Sequence, residues 1–270
     1  MSPGKSWGWL ILSLAISAPA HARVPKPLAR IEAARGVVAV NLGSRGIRDT
    51  RLRVMRRTAY TLGVQGGAYW REQHVNALLR KESVTLDRMF NFAPLLLDAG
   101  QVQPPVIDVV EGAYRLDSDT TGESVVTTYR IEAPARLVST APNWRSWLIT
   151  HFPPLTRVSR LLLPTTAKEQ RVWKREVDRG WAAGVAEFNS VYDANLHALA
   201  RDYLGMARFH LLAEQGVISV PALATGNLGI RVNGHQLEIG QRLFRLTMPA
   251  RFTPSATWHP VPVPAQGDER

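Results

Sequence analysis

The sequence predicts an α+β fold in one domain, with long helices in the N-terminal half and centre packed with small antiparallel β hairpins. Three observations carry this prediction. Between Thr166 and Gly216 an apolar stripe runs through Trp173, Val177, Trp181, Val185, Phe188, Tyr192, Leu196, Leu199, Tyr203 and Met206 in steps of three and four, as one face of a helix requires. A second stripe, Leu52, Met55, Ala59, Leu62, Gly66 and Trp70, keeps the same spacing near the start of the chain. After Pro104-Pro105, and again after Gly216, the period shifts towards alternation, with Val, Thr and Tyr enriched around turn residues.

In chain order, residues 1–22 have the layout of a secretory signal: Lys5, the apolar run Trp9-Leu10-Ile11-Leu12 to Ile16, then Ala20-His21-Ala22 as an A-x-A cleavage site. Residues 23–45, with Pro25, Pro27, Gly36 and Gly43, are expected to form a partly ordered arm. The α+β domain is expected over 46–248. Its first helix runs from about Ile47 to Lys81; Gly66-Gly67 inside it costs about 1 kcal/mol per glycine relative to alanine, a cost that a close helix contact or a kink offsets. A second helix is expected at Ser83–Asn91 and a short third from Pro94 to Gly100.

Val106–Val110 and Val125–Ile131 then flank the polar turn Asp117–Gly122 as a hairpin. Pro142–Phe152 is a short helix bounded by prolines, and Pro153-Pro154 and Pro164 frame a linker. The long helix opens with Thr166 and Glu169 at capping-box spacing and closes at Gly216, a left-handed cap residue; Gly180, Gly184 and Gly205 are candidate breaks in it. Val217–Pro221, Gly229–Val232, Gln236–Ile239 and Arg242–Met248 are strands, with Asn233-Gly234 as a hairpin turn. Residues 249–270 form a proline-rich tail expected to be extended or disordered.

The 270 residues are 45% hydrophobic and 20% charged, an ordinary globular balance. The formal charge is +11, and loss of residues 1–22 removes one cation, Lys5. A basic balance fits nucleic acid, anionic lipid or an acidic protein partner, and export argues against a genome-binding role. The arginines at 45, 48, 51, 53, 56 and 57 are clustered. One reading of the cluster is a solvated helix face; the other is a contact surface. The candidate partner-contact residues are Arg48, Arg51, Arg53, Arg56 and Arg57, with Trp144 and Trp147 as aromatic anchors. There is no cysteine, which excludes a disulfide, a zinc-thiolate site and an N-terminal lipid-bearing cysteine.

Motifs for chemistry are few. Asp117-Ser118-Asp119-Thr120-Thr121-Gly122 resembles a D-x-D-x-T phosphatase loop, in which one Asp attacks phosphorus and the other moves the proton. It also imitates a calcium loop, but Thr128 stands where a bidentate Glu belongs. A plain hairpin loop favours the same residues. No H-E-x-x-H, G-x-S-x-G, P-loop or G-x-G-x-x-G is present. His197 and His210 are expected as surface or satisfied-core residues. The expectation is a protein with no catalytic residues, cofactor or metal. An exported hydrolase using Asp117 and Asp119 is one alternative; a periplasmic ligand-binding module with Trp144 and Trp147 in its pocket is another.

The segments Thr61–Arg71 (TLGVQGGAYWR), Asp87–Asp98 (DRMFNFAPLLLD), Pro104–Ile107, Ala133–Leu148 (APARLVSTAPNWRSWL), Val172–Gly184 (VWKREVDRGWAAG) and Arg201–Met206 (RDYLGM) resemble, in this order, the DotC family, called TraI in IncI-type conjugation systems. The resemblance covers about Arg48 to Met248. It implies a structural, non-catalytic subunit of the type IVB secretion core complex at the outer membrane. Such a subunit acts with DotD-like and DotH-like partners to build the ring, with no direct nucleic-acid binding. Family members are typically lipoproteins anchored through a Cys after the signal. This chain has none, so it is expected in the periplasm, unlipidated, reaching the outer membrane through its partners.

Overall fold

The computed structural model describes residues 25–36, 45–118, 121–233 and 236–258. The signal-like residues 1–22, and with them the expected cleavage site, lie outside the described residues, as does the tail from 259 onward. The helices are α1 (Lys26–Glu32), α2 (Arg45–Lys81), α3 (Ser83–Met89), α4 (Arg145–Leu148) and α5 (Ala167–Glu214). The strands are β1 (Val102–Gln103), β2 (Val106–Ser118), β3 (Thr121–Ala133), β4 (Arg136–Leu137), β5 (Ala222–Asn233) and β6 (Gln236–Met248). The fold is α+β, with long helices and small antiparallel sheets. The strands pair as three two-stranded antiparallel sheets, β1–β4, β2–β3 and β5–β6. The chain packs as two compact units, one from Met1–Leu86 with Trp147–His197 and the other from Asp87–Ser146 with Ala198–Arg270.

Both ends of α5 follow from local chemistry. Thr166 Oγ1 accepts from Glu169 N–H at 3.2 Å, and the Glu169 carboxylate reaches back to Thr165 N–H at 2.8 Å. The capping box thus forms with its return arm one residue earlier than the usual geometry. At the other end Gly216 is left-handed, with φ 71°. Its N–H bonds Ala213 O at 3.0 Å and Val217 N–H bonds Leu212 O at 2.8 Å, the paired bonds of a Schellman motif. Between these caps the helix is unbroken, roughly 72 Å at 1.5 Å per residue. The glycines expected to interrupt it serve packing instead.

In the first unit the stripes of α2 and α5 meet. Met55, Ala59, Leu62, Trp173, Val177 and Trp181 form one buried cluster with Ile31 of α1. The two backbones approach through four glycines. A Cβ added at Gly180 would stand 2.1 Å from Tyr60 O, at Gly184 2.1 Å from Val64 O, at Gly63 2.4 Å from Val177 O and at Gly67 2.3 Å from Trp181 O. Gly63 and Gly67 are four apart, as are Gly180 and Gly184, so each helix presents two bare turns to the other. The same small-xxx-small spacing lets helix backbones touch in membranes. The glycine propensity cost is thereby offset by backbone contact and by the rings alongside, including Trp70 on Trp181 at 5.7 Å.

Partners on α2 and α5 rise together: Arg56 bonds Glu176, Tyr60 faces Gly180, Val64 faces Gly184 and Arg71 bonds Asn189. The helices therefore run parallel in one register. Parallel neighbours require the chain to travel back, and residues 150–163 do so as a strap along α2, extended up to Ser159 and then a 3-10 turn at Arg160–Leu162. Thr150 O accepts from Asn76 Nδ2 at 3.2 Å, Phe152 N–H bonds Glu72 at 3.0 Å, Thr156 N–H bonds Gln65 at 3.3 Å and Leu163 O accepts from Arg51 at 3.1 Å. Pro153-Pro154 keep the strap out of a helix.

α1 is tied down by Trp173 Nε1, which donates to Ile31 O at 2.9 Å, and by Gln170 Nε2, which donates to Glu32 O at 2.6 Å. Beside them Lys174 Nζ lies 2.6 Å from Glu32 and 3.8 Å from Asp178. Burial, then a hydrogen bond and repulsion from Glu32, push the Asp178 carboxyl up to about 6. Burial opposes the ionised Glu32 carboxylate, but hydrogen bonds from Asp178 and Lys174 outweigh it and hold its pKa below the ordinary value.

The second unit is centred on Ile107, Phe209, Leu212, Ile218 and Ala250. Gly205 lies against the Ile107 backbone, where an added Cβ would meet Ile107 N and O at 3.0 Å. Phe90 and Phe92 stand edge-on to Tyr203, with ring centroids 5.6 and 5.2 Å away. The hairpin strands are longer than expected, and Val217–Pro221 is not a strand; within it only Ile218 forms a bridge, to Phe252. The expected third helix is replaced by two 3-10 turns, Ala93–Leu95 and Asp98–Gly100. Asp98, Ala99 and Gly100 all have positive φ, which reverses the chain so that Leu97 pairs with Val102 and no α-helix continues. The first part of the tail is also held: Ser219 N–H bonds Arg251 O at 2.8 Å and Thr253 N–H bonds Val217 O at 2.9 Å. Of the tail expected to be extended or disordered, residues 249–258 are held by Ala250 burial and these bonds, with a 3-10 turn at Ser255–Thr257.

Gly180→Ala is expected to lower stability by about 1–3 kcal/mol in thermal or urea unfolding, because its methyl overlaps a carbonyl. Gly226→Ala, whose new carbon meets only Leu243 Cβ at 3.9 Å, serves as the control without loss. Asp178 has its folded pKa raised, so its favourable contribution is complete below its unfolded value of 3.8 and fades as pH rises through about 6. Asp178→Asn is therefore expected to melt higher than the parent at pH 8, with the difference closing near pH 4.

Candidate partner-contact surface

The clustered arginines of α2 divide into two sets. Arg51, its side chain 14% exposed, pairs with Glu169 and donates to Leu163 O. Arg56 places Nε and Nη2 3.1 and 2.9 Å from Glu176 Oε1. These two fasten α2 to α5, because the glutamates of α5 stand level with them in the parallel register. Arg51 is thus corrected from contact candidate to internal clamp, while Arg56 both clamps Glu176 and keeps 49% of its side chain exposed. Arg48, Arg53 and Arg57 point outward and are exposed; Arg53 Nη2 reaches only Thr50 Oγ1, at 3.3 Å.

Arg57 belongs to the wall of an open groove of about 370 Å³ between α2 and the strap. Val54, Thr58, Thr61, Leu62 and Gln65 line it from α2, and Thr156 and Val158 from the strap. Val54 is 43% exposed there. The strap brings two more exposed arginines, Arg157 and Arg160. Over residues 48–65 and 153–163 the sequence has seven arginines and one acidic residue, Asp49. The local field is therefore positive around an apolar floor.

A buried acid holds the start of the strap. Glu72, 2% exposed, accepts from Asn76 Nδ2 at 3.2 Å and from Phe152 N–H at 3.0 Å. Asn76 Nδ2 also donates to Thr150 O, which fixes the amide orientation, since a flip would aim Oδ1 at two acceptors. Asn76 Oδ1 and Thr150 Oγ1 are buried without a hydrogen-bond partner among the described residues.

In the second unit Trp144 is 1% exposed, and its Nε1 donates to Asp87 Oδ1 at 2.7 Å. The Arg145 guanidinium lies 4.3 Å over the same ring and bridges both Asp87 oxygens, at 2.5 and 3.2 Å. Hydrogen bonds from Arg145 first and Trp144 second hold the Asp87 carboxyl below its ordinary value. A ring so enclosed has no surface to offer, so Trp144 is corrected from contact candidate to core. In the first unit Trp147 is half-buried.

The Asp117–Gly122 motif falls on the end of the β2–β3 hairpin. Leu116 pairs with Gly122 and Ser118 with Thr121, so Asp117 is a strand residue at a register shift. Asp119 and Thr120 lie outside the described residues. His210 Nε2 is 2.8 Å from Leu95 O, and since a carbonyl only accepts, that nitrogen carries the proton. The groove was missed in the sequence because its second wall is the linker. The exposed Leu155 and the Val158 beside Pro153-Pro154 were the available signal.

A pair of long helices with glycine-mediated contact, three two-stranded sheets and a basic surface define an α+β protein with a charged face suited to contacting other molecules. The family model described as type IV secretory system, conjugal DNA-protein transfer matches residues 49–260, and the chain belongs to that family. No curated protein matches the chain in sequence.

Glu72→Ala removes the acceptor of Phe152 N–H and of the Asn76 amide. It is expected to cost about 1–3 kcal/mol and to loosen the strap. Trypsin would then cut after Arg157 or Arg160 faster than in the parent, as followed by mass spectrometry of timed digests.

Proposed function

We propose that the protein is a structural, non-catalytic subunit of a type IVB secretion or conjugative-transfer core complex, working at the outer membrane. The observation that carries this reading is the family match over 49–260, together with the ordered run of DotC-like segments between Thr61 and Met206. The protein binds DotD-like and DotH-like components and helps them assemble the outer-membrane ring. It is exported by residues 1–22 into the periplasm and, lacking cysteine, reaches the membrane through those partners. Arg48, Arg53 and Arg57 are exposed, and their exposure supports a role in such contacts.

Deletion of the gene is expected to abolish transfer, and the full chain supplied in trans to restore it. Co-purification with DotD-like and DotH-like neighbours, and a shift to the outer-membrane fraction only when they are co-expressed, are the biochemical counterparts. Asp117→Asn is expected to leave transfer unchanged in a mating assay; loss of transfer with the folded variant would point to hydrolase chemistry instead.

A further inference from the structure

The groove between α2 and the strap has a definite chemistry. Its apolar lining comes from Leu62, Val54 and Val158, Arg57 of α2 stands in its wall, and the exposed Arg157 lies on the strap between the lining residues Thr156 and Val158. Arg57 and Arg157 form no ion pair among the described residues, whereas Arg51 and Arg56 nearby pair with Glu169 and Glu176. The groove follows α2 from Val54 to Gln65, roughly 16 Å at 1.5 Å per residue, which matches about five residues of extended chain at 3.3 Å each.

We propose that this groove receives an acidic, aliphatic-rich segment of another protein of the same machine, extended along α2. Aliphatic side chains of the segment cover Leu62, Val54 and Val158, and its carboxylates pair with Arg57, with Arg157 adding positive charge beside the groove. This rests on the secretion-subunit reading and adds the place and chemistry of one contact. Protein is favoured over single-stranded nucleic acid because the groove lining holds no aromatic ring on which a base would stack, and its floor is aliphatic. The rim charges steer the encounter, and the aliphatic floor selects the segment.

Two measurements on the full chain test this. The first is fluorescence anisotropy of a labelled peptide of alternating Glu and Leu. Binding is expected to weaken about tenfold in Arg57→Glu and to fall with added salt, while the variant's melting curve stays that of the parent. Equal affinity for a Ser/Leu or Lys/Leu peptide, indifference to Arg57→Glu, or displacement by oligothymidylate would overturn the proposal. The second places a benzoylphenylalanine photo-crosslinker at Thr61 in cells carrying the assembled machine. The expected adduct is a carboxylate-bearing segment of another secretion component, lost in Arg57→Glu. An adduct only with lipid, with a second copy of this chain or with a neutral segment overturns the groove proposal while co-purification with the machine still stands. Absence of any secretion component from the purified complex would overturn the wider functional reading as well.

Discussion

The first unit depends on two helix backbones touching. Gly63, Gly67, Gly180 and Gly184 remove the side chains that would hold α2 and α5 a normal distance apart. Once the backbones meet, the register is fixed, because each glycine admits one carbonyl of the facing helix. The other pairings of the unit follow from that register. Glu169 and Glu176 fall level with Arg51 and Arg56, Asn189 with Arg71, and Trp181 with Trp70. Two of the six clustered arginines are thereby paired with α5, and Arg48, Arg53 and Arg57 face outward.

The strap is the counterpart of this parallel pairing. A chain that must return beside α2 without pairing as a strand exposes most of its length to solvent, and the strap does so from Pro153 to Thr156. It is held at Glu72 and Asn76 at one end and at Arg51 at the other. Between these anchors Thr156 N–H reaches α2, at Gln65, and the open groove is the space left around Thr156 and Val158. The basic rim and the apolar floor thus come from one arrangement: arginines unclaimed by α5, beside aliphatic residues of α2 facing a strap too thin to cover them.

Much of this was legible in the sequence where a single element decides the outcome. The stripe from Trp173 to Met206 became one buried helix face, and the cap residues Thr166 and Gly216 mark its ends to the residue. Glycine offered two readings, break or contact, and periodicity cannot separate them; the partner helix decides, and it lies more than a hundred residues away. The turn at Asp98–Gly100 was missed because Ala99, a strong helix former, carries no sign of the left-handed conformation it takes between Asp98 and Gly100. At the candidate surface, the arginine cluster and Trp144 were identifiable as residues of interest. Which arginines face inward depends on Glu169 and Glu176, and the burial of Trp144 depends on Asp87, so neither was available from local pattern.

The long-range pairing of α2 with α5 also sets a clock on synthesis. Arg51 and Glu169 are 118 positions apart, and Arg56 and Glu176 are 120 apart. With the chain made at about 5–20 residues per second, α2 waits on the order of ten seconds for the helix it must meet. Through that interval Met55, Ala59 and Leu62 lack the helix that covers them, and Gly63, Gly66 and Gly67 weaken the helix that carries them. High contact order of this kind slows folding and lengthens exposure to aggregation. Until α5 is available, the apolar face of α2 has no helix to pack on.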